Sequence, residues 1–296
     1  MTPIRYLYPG GIEAVTTNGG WRLLHGARDD LVFPSVAEIS EALRRRPVVV
    51  ISRVANHDPI SLLIDHSTKG LFDECLSELM NQAREPATLF HVHHIVYTLG
   101  ATAYHCEQLA ECYASISKDF ARLPSIPGAL NGEPAMFGRQ PTPYYEFDAC
   151  ITAARRLFEA CRHLMWKTYG RGGPGPDGFW NTLVELRKSP SLADIPYDDI
   201  EGTWSQYGRR LSDYRNCIIH HVPVDFGMTA AWMQRDQLGV WVTRIKIPDN
   251  PEAQAREAFS FSGNLDALEY CLDLVWAIAK LARTVVDATS GAARDH

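Results

Sequence analysis

The sequence predicts a mainly α-helical protein, in which a C-terminal helical bundle with an inserted β-hairpin follows a mixed α/β region containing a long helix. Apolar residues recur at the three- and four-residue spacing of helices in segments 88–123, 142–169, 203–223 and 264–282. Strand patterns fall in the first 64 residues and in residues 228–247. Segment 124–143 is rich in Pro and Gly and lacks periodicity, which indicates a domain boundary. We therefore expect a region of unknown role at 1–140, a helical domain at 141–290 and a disordered tail at 291–296.

Composition narrows the class of protein. Hydrophobic residues make up 46% of the 296 residues and charged residues 22%, so the chain can bury a core. No apolar run is long enough to cross a bilayer and the N-terminus lacks a signal segment, so we expect a cytoplasmic protein without a membrane partner. The net charge of −6 argues against an indiscriminate nucleic-acid coat but permits a local basic cleft. The seven cysteines form no C-x-x-C pair, and buried thiols are expected rather than disulfides.

The first elements are short strands. Ile4–Tyr8, Ile12–Thr17 and Trp21–His25 have extended patterns, and Asn18-Gly19-Gly20 between the last two indicates a hairpin. Ser35 begins a short helix that ends in Arg44-Arg45-Arg46, a triplet interpreted as a solvated helix end in preference to a nucleic-acid contact.

Three further segments lead to the long helix. Val48–Ile51 is a β-branched run that suits a buried strand, and Ile60–Ile64 suits either a second strand or a helical turn. A helical pattern returns from Leu71 to Arg84.

The long helix from Thr88 to Leu123 carries several histidines. His91, His94 and His105 share one stripe, so a metal site is one interpretation. Zinc needs a third and usually a fourth ligand, and no His-Glu-x-x-His motif or cysteine pair supplies them, so we expect no cofactor and interpret the histidines as packing or interface residues. A small-molecule or metal-dependent enzyme that uses this face stays as an alternative.

The predicted helical domain begins with Thr142 as an N-cap, followed by a helix to Tyr169 that buries a stripe including Phe147 and Phe158. The loop 170–178 has glycines but neither a preceding strand nor a Gly-Lys-Ser/Thr sequence, which excludes a P-loop. A short helix at 179–188 follows. Further on, 228–233 and 240–247 predict a β-hairpin, and Asn264 is expected to cap the last helix.

Helix 203–223 holds the candidate chemistry. Its apolar stripe includes Trp204, Leu211 and Tyr214, and Asn216 and His220 lie one turn apart on roughly the opposite side. Arg215 flanks the stripe, and its long side chain can reach the polar face. His221 is expected beside Tyr214 and Ile218, so of the two adjacent histidines we expect His220 to be the reactive one.

The segment Arg215-Asn216-Cys217-Ile218-Ile219-His220 resembles the R-x4-6-H signature of the HEPN superfamily, in which a polar residue, often Asn, follows the Arg. The resemblance covers about residues 141–290. It implies an up-and-down helical bundle and a metal-independent endoribonuclease that acts as a homodimer, with Arg215 and His220 of both subunits lining a shared cleft. It also implies a toxin of a toxin–antitoxin system or an antiviral defence effector, with an antitoxin or regulatory protein as a possible partner.

In such an enzyme His220 would transfer protons, Arg215 would hold phosphate oxygens, and Asn216 would orient the imidazole or the substrate. Products would be a 2′,3′-cyclic phosphate and a 5′-OH. The cations expected to bind the RNA backbone are Arg209, Arg210, Arg155 and Arg156. The alternative is a noncatalytic HEPN-like module for RNA binding, protein binding or dimerisation, in which one motif residue is buried in a salt bridge or covered by the chain.

Overall fold

A computed structural model of the chain shows a mainly helical protein with two antiparallel sheets, in agreement with the predicted fold class. The residues that the structure describes are 4–8, 12–17, 20–23, 32–33, 49–52, 61–63, 79, 86–121, 135–170, 173–188, 195–225, 230–235 and 241–292.

Six short strands form the first sheet, in the spatial order β4-β3-β2-β1-β5-β6. They are β1 (Ile4–Tyr8), β2 (Ile12–Thr17), β3 (Gly20–Leu23), β4 (Val32–Phe33), β5 (Val49–Ser52) and β6 (Ser61–Leu63). The predicted hairpin is confirmed, since Thr17 pairs with Gly20. The β-branched run forms β5, which lies between two other strands, and the segment with two interpretations forms β6. The predicted helix that begins at Ser35, and all of the predicted helix 71–84 except Leu79, lie outside the described residues.

Two long helices form the main layer of the bundle. Helix α1 (Pro86–Ala121) and helix α2 (Pro141–Tyr169) confirm the two predicted long helices, although Gln140 rather than Thr142 precedes α2 as its N-cap, with Pro141 in the first turn. The helices are antiparallel, because His105 of α1 contacts Glu146 of α2, whereas Thr102, earlier in α1, contacts Cys150, later in α2.

A second, three-stranded sheet contains the predicted hairpin and one strand that the sequence pattern missed. Its order is β7 (Ala135–Arg139), β8 (Ala230–Arg235) and β9 (Trp241–Arg244). Strand β7 lies inside the segment predicted to be an irregular boundary. Pro134 and Gly138 are uncommon in strands, so the sequence pattern there did not predict one. The strand forms because it pairs with the unpaired edge of β8, which lies more than 90 residues away in sequence.

The predicted motif helix is divided by a wider turn. Helix α3 (Phe179–Arg187) precedes α4 (Tyr197–Thr203), a π-helical turn (Trp204–Gly208) and α5 (Arg209–His220). The turn accommodates the buried Trp204 indole, which packs over Gly208: a Cβ added to that glycine would lie 2.3 Å from the Trp204 ring.

Helix α6 (Ala267–Ala292) closes the bundle. Its cap is Asp266 rather than the predicted Asn264, because Asp266 Oδ1 accepts hydrogen bonds from the backbone N–H groups of Leu268 and Glu269 at 3.0 and 3.2 Å. Asn264 instead has a positive φ of 51° in the preceding turn.

One hydrophobic core joins these helices. It includes Ile95 and Leu99 of α1, Phe147 and Phe158 of α2, and Ile278 of α6. The predicted boundary at residue 140 thus lies within the sequence that builds this core, and the division into two domains stays a prediction. None of the helices in the described residues is both long enough and apolar enough to span a membrane.

Candidate functional site

Helix α5 presents the motif because its other face is anchored in the core. Leu211, Tyr214 and Cys217 are fully buried. The Tyr214 ring lies edge-on to Phe147 at a centroid distance of 5.5 Å, and its hydroxyl donates a hydrogen bond to the Pro248 carbonyl. These contacts fix the rotation of the helix and leave the motif residues on its accessible side.

The three predicted catalytic residues lie together at the end of α5. Arg215 Nη1 donates a hydrogen bond to Asn216 Oδ1 at 3.1 Å and lies 3.4 Å from His220 Nε2. Arg215 flanks the apolar stripe, and its long side chain reaches the polar face of the helix, as expected. Arg215 and Asn216 are partly exposed and His220 is exposed.

The site is cationic and open. In the described part of the chain, neither Arg215 nor His220 forms an ion pair with a carboxylate. His220 is the last residue of α5. When His220 is neutral, the contact with Arg215 Nη1 requires its proton on Nδ1.

A second histidine belongs to the same surface. His221 was expected beside the core, but it is exposed, and its ring centroid lies 6.4 Å from that of His220. The expectation was wrong because α5 ends at His220: His221 has φ −130° and ψ −86°, so helical spacing does not apply to it. The adjacent histidines just before Pro223, a residue that ends helices, were the signal that could have identified it.

Two of the arginines expected to bind RNA, Arg155 and Arg156, lie on α2. They are near Trp204, which precedes α5, and not near the end of α5 where Arg215 and His220 lie. Arg155 Nη1 donates to Glu159 Oε1 at 2.5 Å, and its guanidinium lies 5.8 Å from the centroid of the Trp204 ring. Arg156 is exposed. Because Trp204 precedes Arg215 by 11 residues, the motif lies about 16 Å further along the helix axis. The structure does not bring these two arginines to the motif.

The other two arginines are at the start of α5. Arg210 Nη2 donates to the Asp249 carbonyl at 2.6 Å, so its guanidinium holds a neighbouring loop. Arg209 is exposed and lies 5.7 Å from the centroid of the Trp180 ring. It keeps its charge at the surface, about 9 Å along the axis from Arg215.

The histidine face of α1 is separate from the motif. His105 is paired with Glu146, and burial together with the nearby His163, Lys167 and His94 lowers the pKa of His91. Within the described residues no group of three or more His, Cys, Asp or Glu side chains could hold a metal ion. The contacts of His91 and His105 agree with the interpretation of the histidines as packing or interface residues.

No protein-family model, curated protein or solved structure matches the chain. Function is therefore inferred from the geometry of the site.

Proposed function

We propose that the protein is a metal-independent endoribonuclease of the HEPN type with Arg215, Asn216 and His220 in its active site. The observation that supports this proposal most strongly is the position of Arg215 Nη1, 3.1 Å from Asn216 Oδ1 and 3.4 Å from His220 Nε2 at an accessible helix end. A phosphate bound by the guanidinium would lie beside the imidazole, as phosphoryl transfer to a neighbouring hydroxyl requires.

The reaction uses the 2′-hydroxyl of RNA as the nucleophile. A neutral His220 accepts the 2′-hydroxyl proton while the oxygen forms a bond to phosphorus. The bond between phosphorus and the 5′-oxygen breaks, and the leaving oxygen receives a proton from a protonated imidazole. Arg215 stays charged and stabilises the negative charge of the transition state. The products are a 2′,3′-cyclic phosphate and a 5′-OH end, and no cofactor takes part.

Two imidazoles serve this reaction better than one, because a base and an acid must act in the same turnover. His221 is exposed next to His220 and is one candidate for the second. A homodimer with two motifs facing each other would supply another, together with a second Arg215. The proposal therefore includes a twofold assembly around this end of α5.

The test is cleavage of an end-labelled RNA pool in chelator by the wild type, Arg215→Ala and His220→Ala. We expect each substitution to reduce the cleavage rate about 100-fold or more. Arg215→Lys separates charge from geometry, because lysine keeps the charge but cannot hold both Asn216 and phosphate as the planar guanidinium does. An intermediate rate is expected for it.

A matched control comes from the same chain. His93→Ala removes an exposed histidine of α1. This variant is expected to cleave within about threefold of the wild type. Folded wild type without activity would favour a noncatalytic RNA- or protein-binding module, and equal cleavage by all variants would assign the activity elsewhere.

The proposed cellular role is that of a toxin or antiviral defence effector. An exposed ribonuclease site in a cytoplasmic protein needs control, and an antitoxin that covers His220 would provide it. Protection of RNA from cleavage on addition of such a partner, together with slower modification of His220 by diethyl pyrocarbonate, would support this role.

A further inference from the structure

The start of α1 and the end of α2 carry a group of histidine and cationic side chains that the proposed active site does not use. Its members are His91 and His94 of α1 and Arg162, His163 and Lys167 of α2. Because the two helices are antiparallel, these two segments lie beside each other. We call this group the α1–α2 cationic cluster.

The members of the cluster lie close enough to influence one another. Arg162 Nη2 is 3.2 Å from His163 Nε2. The pKa of His91 is lowered by burial and then by the nearby His163, Lys167 and His94. Burial and the neighbouring Arg162 likewise lower the pKa of His163. Because cations act on imidazoles of both helices, the cluster forms one site of positive potential.

Positive charge in the cluster exceeds the negative charge that pairs with it. In the described part of the chain, Glu159 is the carboxylate that pairs with a cluster member, and it is shared between Arg162 and Arg155. Lys167 and the cluster histidines form no ion pair there. Even when the imidazoles are neutral, the three cations Arg155, Arg162 and Lys167 exceed the one carboxylate by two charges. The chain as a whole has a net charge of −6, so this excess is a local feature.

The cluster offers several hydrogen-bond donors to an anion. Four of its side chains are exposed or partly exposed, namely His91, His94, His163 and Lys167. Arg162 is held beside them, because its Nε donates to Glu159 Oε2 at 2.6 Å and its Nη1 donates to the Pro176 carbonyl at 2.7 Å. A neutral imidazole still has one N–H, so each histidine can donate without being protonated.

A phosphate monoester matches these donors better than a carboxylate does. It carries a charge of about −1.5 to −2 at pH 7 and has three strong acceptor oxygens. Its charge therefore balances the excess of two positive charges, and its oxygens accept hydrogen bonds from several donors at once. A carboxylate has a single charge, so it would leave part of the excess unbalanced.

We propose that the α1–α2 cationic cluster is a binding site for a phosphate monoester. Lys167 contacts the phosphate with its charged amine, and the N–H groups of the three cluster histidines donate hydrogen bonds to the oxygens. The group that is recognised is the phosphate itself, which a mononucleotide and the 5′ end of an RNA strand both carry.

The cluster is distinct from the motif. Helix α2 runs antiparallel to the motif segment, since Phe147 contacts Tyr214 whereas Phe158, later in α2, contacts Trp204. The cluster follows Phe158 in α2, so it lies beyond Trp204, at the end of the motif segment opposite His220. The two sites are more than about 20 Å apart along the helices. The inference therefore goes beyond the proposed ribonuclease function and can be tested without any cleavage.

Calorimetric titration with adenosine 5′-monophosphate and with adenosine tests the site, because the two compounds differ only by the phosphate. We expect the wild type to bind the monophosphate saturably and to bind adenosine about tenfold more weakly or not at all. Lys167→Ala is expected to weaken binding of the monophosphate about tenfold or more, because it removes a charge-assisted hydrogen bond.

Matched controls remove the same residue types elsewhere. His93→Ala removes an exposed histidine that lies about 160° around α1 from His91. Lys280→Ala removes an exposed lysine of α6. Both variants are expected to bind the monophosphate as the wild type does. Absence of monophosphate binding by the folded wild type, or an equal affinity of the wild type and Lys167→Ala, would overturn the proposal.

Proton uptake provides a second measurement. Charged and titratable groups of α1 and α2 act on His91 and His163, namely His94, Glu159, Arg162 and Lys167. Bound phosphate opposes the repulsion from the cations, so the titration midpoints of His91 and His163 are expected to move to higher pH when inorganic phosphate is added. Histidine C–H signals in NMR spectra measure these midpoints. Midpoints that do not move, or that move equally in Lys167→Ala, would contradict a shared phosphate site.

The two sources of the phosphate are distinguished with RNA. The His220→Ala variant is titrated with a 5′-phosphorylated oligoribonucleotide and with the same RNA carrying a 5′-OH, so that the RNA stays intact. Tighter binding of the phosphorylated RNA, lost when Lys167→Ala is added, would assign the site to RNA ends. Equal binding of the two RNAs, with monophosphate binding retained, would assign it to a nucleotide. Both outcomes support the cluster as a phosphate site.

Discussion

Replacement of Asp266 by alanine is expected to lower the free energy of unfolding by about 3–7 kcal/mol. Its carboxylate caps α6 through the N–H groups of Leu268 and Glu269, a contribution of about 1 kcal/mol. It also accepts hydrogen bonds from the Ile245 N–H at 3.0 Å and the Tyr113 hydroxyl at 2.9 Å. Leaving these two buried donors without their acceptor costs about 1–3 kcal/mol each.

The assay is urea denaturation followed by tryptophan fluorescence and far-UV circular dichroism. Tyr113→Phe removes the hydroxyl from α1, and a double-mutant cycle with Asp266→Ala is expected to give a coupling energy of about 1–2 kcal/mol. The cycle links a helix upstream of residue 140 to the cap of α6. A loss below about 1 kcal/mol for Asp266→Ala, or additive effects in the cycle, would refute a shared core held by this contact.

Two further predictions concern protonation. Burial, opposed by Arg244, raises the pKa of Asp266 to about 6. The folded chain therefore binds the Asp266 proton more tightly than the unfolded chain does. The free energy of unfolding, relative to that of Asp266→Asn, is expected to be greatest below pH 4 and to fall by about 3 kcal/mol as pH rises through 6. Urea titrations at several pH values measure this difference, and a rise with pH would contradict the sign. In the proposed active site, His221→Ala is expected to slow RNA cleavage about 100-fold if its imidazole supplies the second proton transfer. Unchanged cleavage, with folding intact, would leave that step to a second copy of His220.

Elements with local signals were predictable from the sequence. The hairpin at Thr17 and Gly20 follows from turn residues, and α1 and α2 follow from apolar periodicity. Strand β7 was not predictable, because its pairing partner is distant in sequence and it contains Ala135 and Gly138, residue types that are uncommon in strands. The cap of α6 was assigned to Asn264, two residues early, because propensity alone does not distinguish neighbouring capping residues.

The proximity of Arg215, Asn216 and His220 was predictable from their spacing on one helix. The contact between Arg215 and His220 was less so, because it depends on a flexible side chain that a helical projection does not position. His221 was missed because the helix ends before it. Arg210 was expected to bind RNA, and its hydrogen bond to the Asp249 carbonyl was not predicted, because the loop that contains Asp249 is distant from Arg210 in sequence.

The most direct test of the proposed function is the chemistry of the cleaved ends. The wild type in chelator is incubated with an end-labelled RNA and with the same RNA methylated on its 2′-oxygens. Cleavage through His220 and Arg215 predicts 2′,3′-cyclic phosphate and 5′-OH ends from the first RNA and no cleavage of the second. It also predicts that His220→Ala cleaves the first RNA about 100-fold more slowly or not at all. Cleavage of the methylated RNA, or products with 3′-OH ends, would contradict the account, because neither outcome uses the 2′-hydroxyl as the nucleophile.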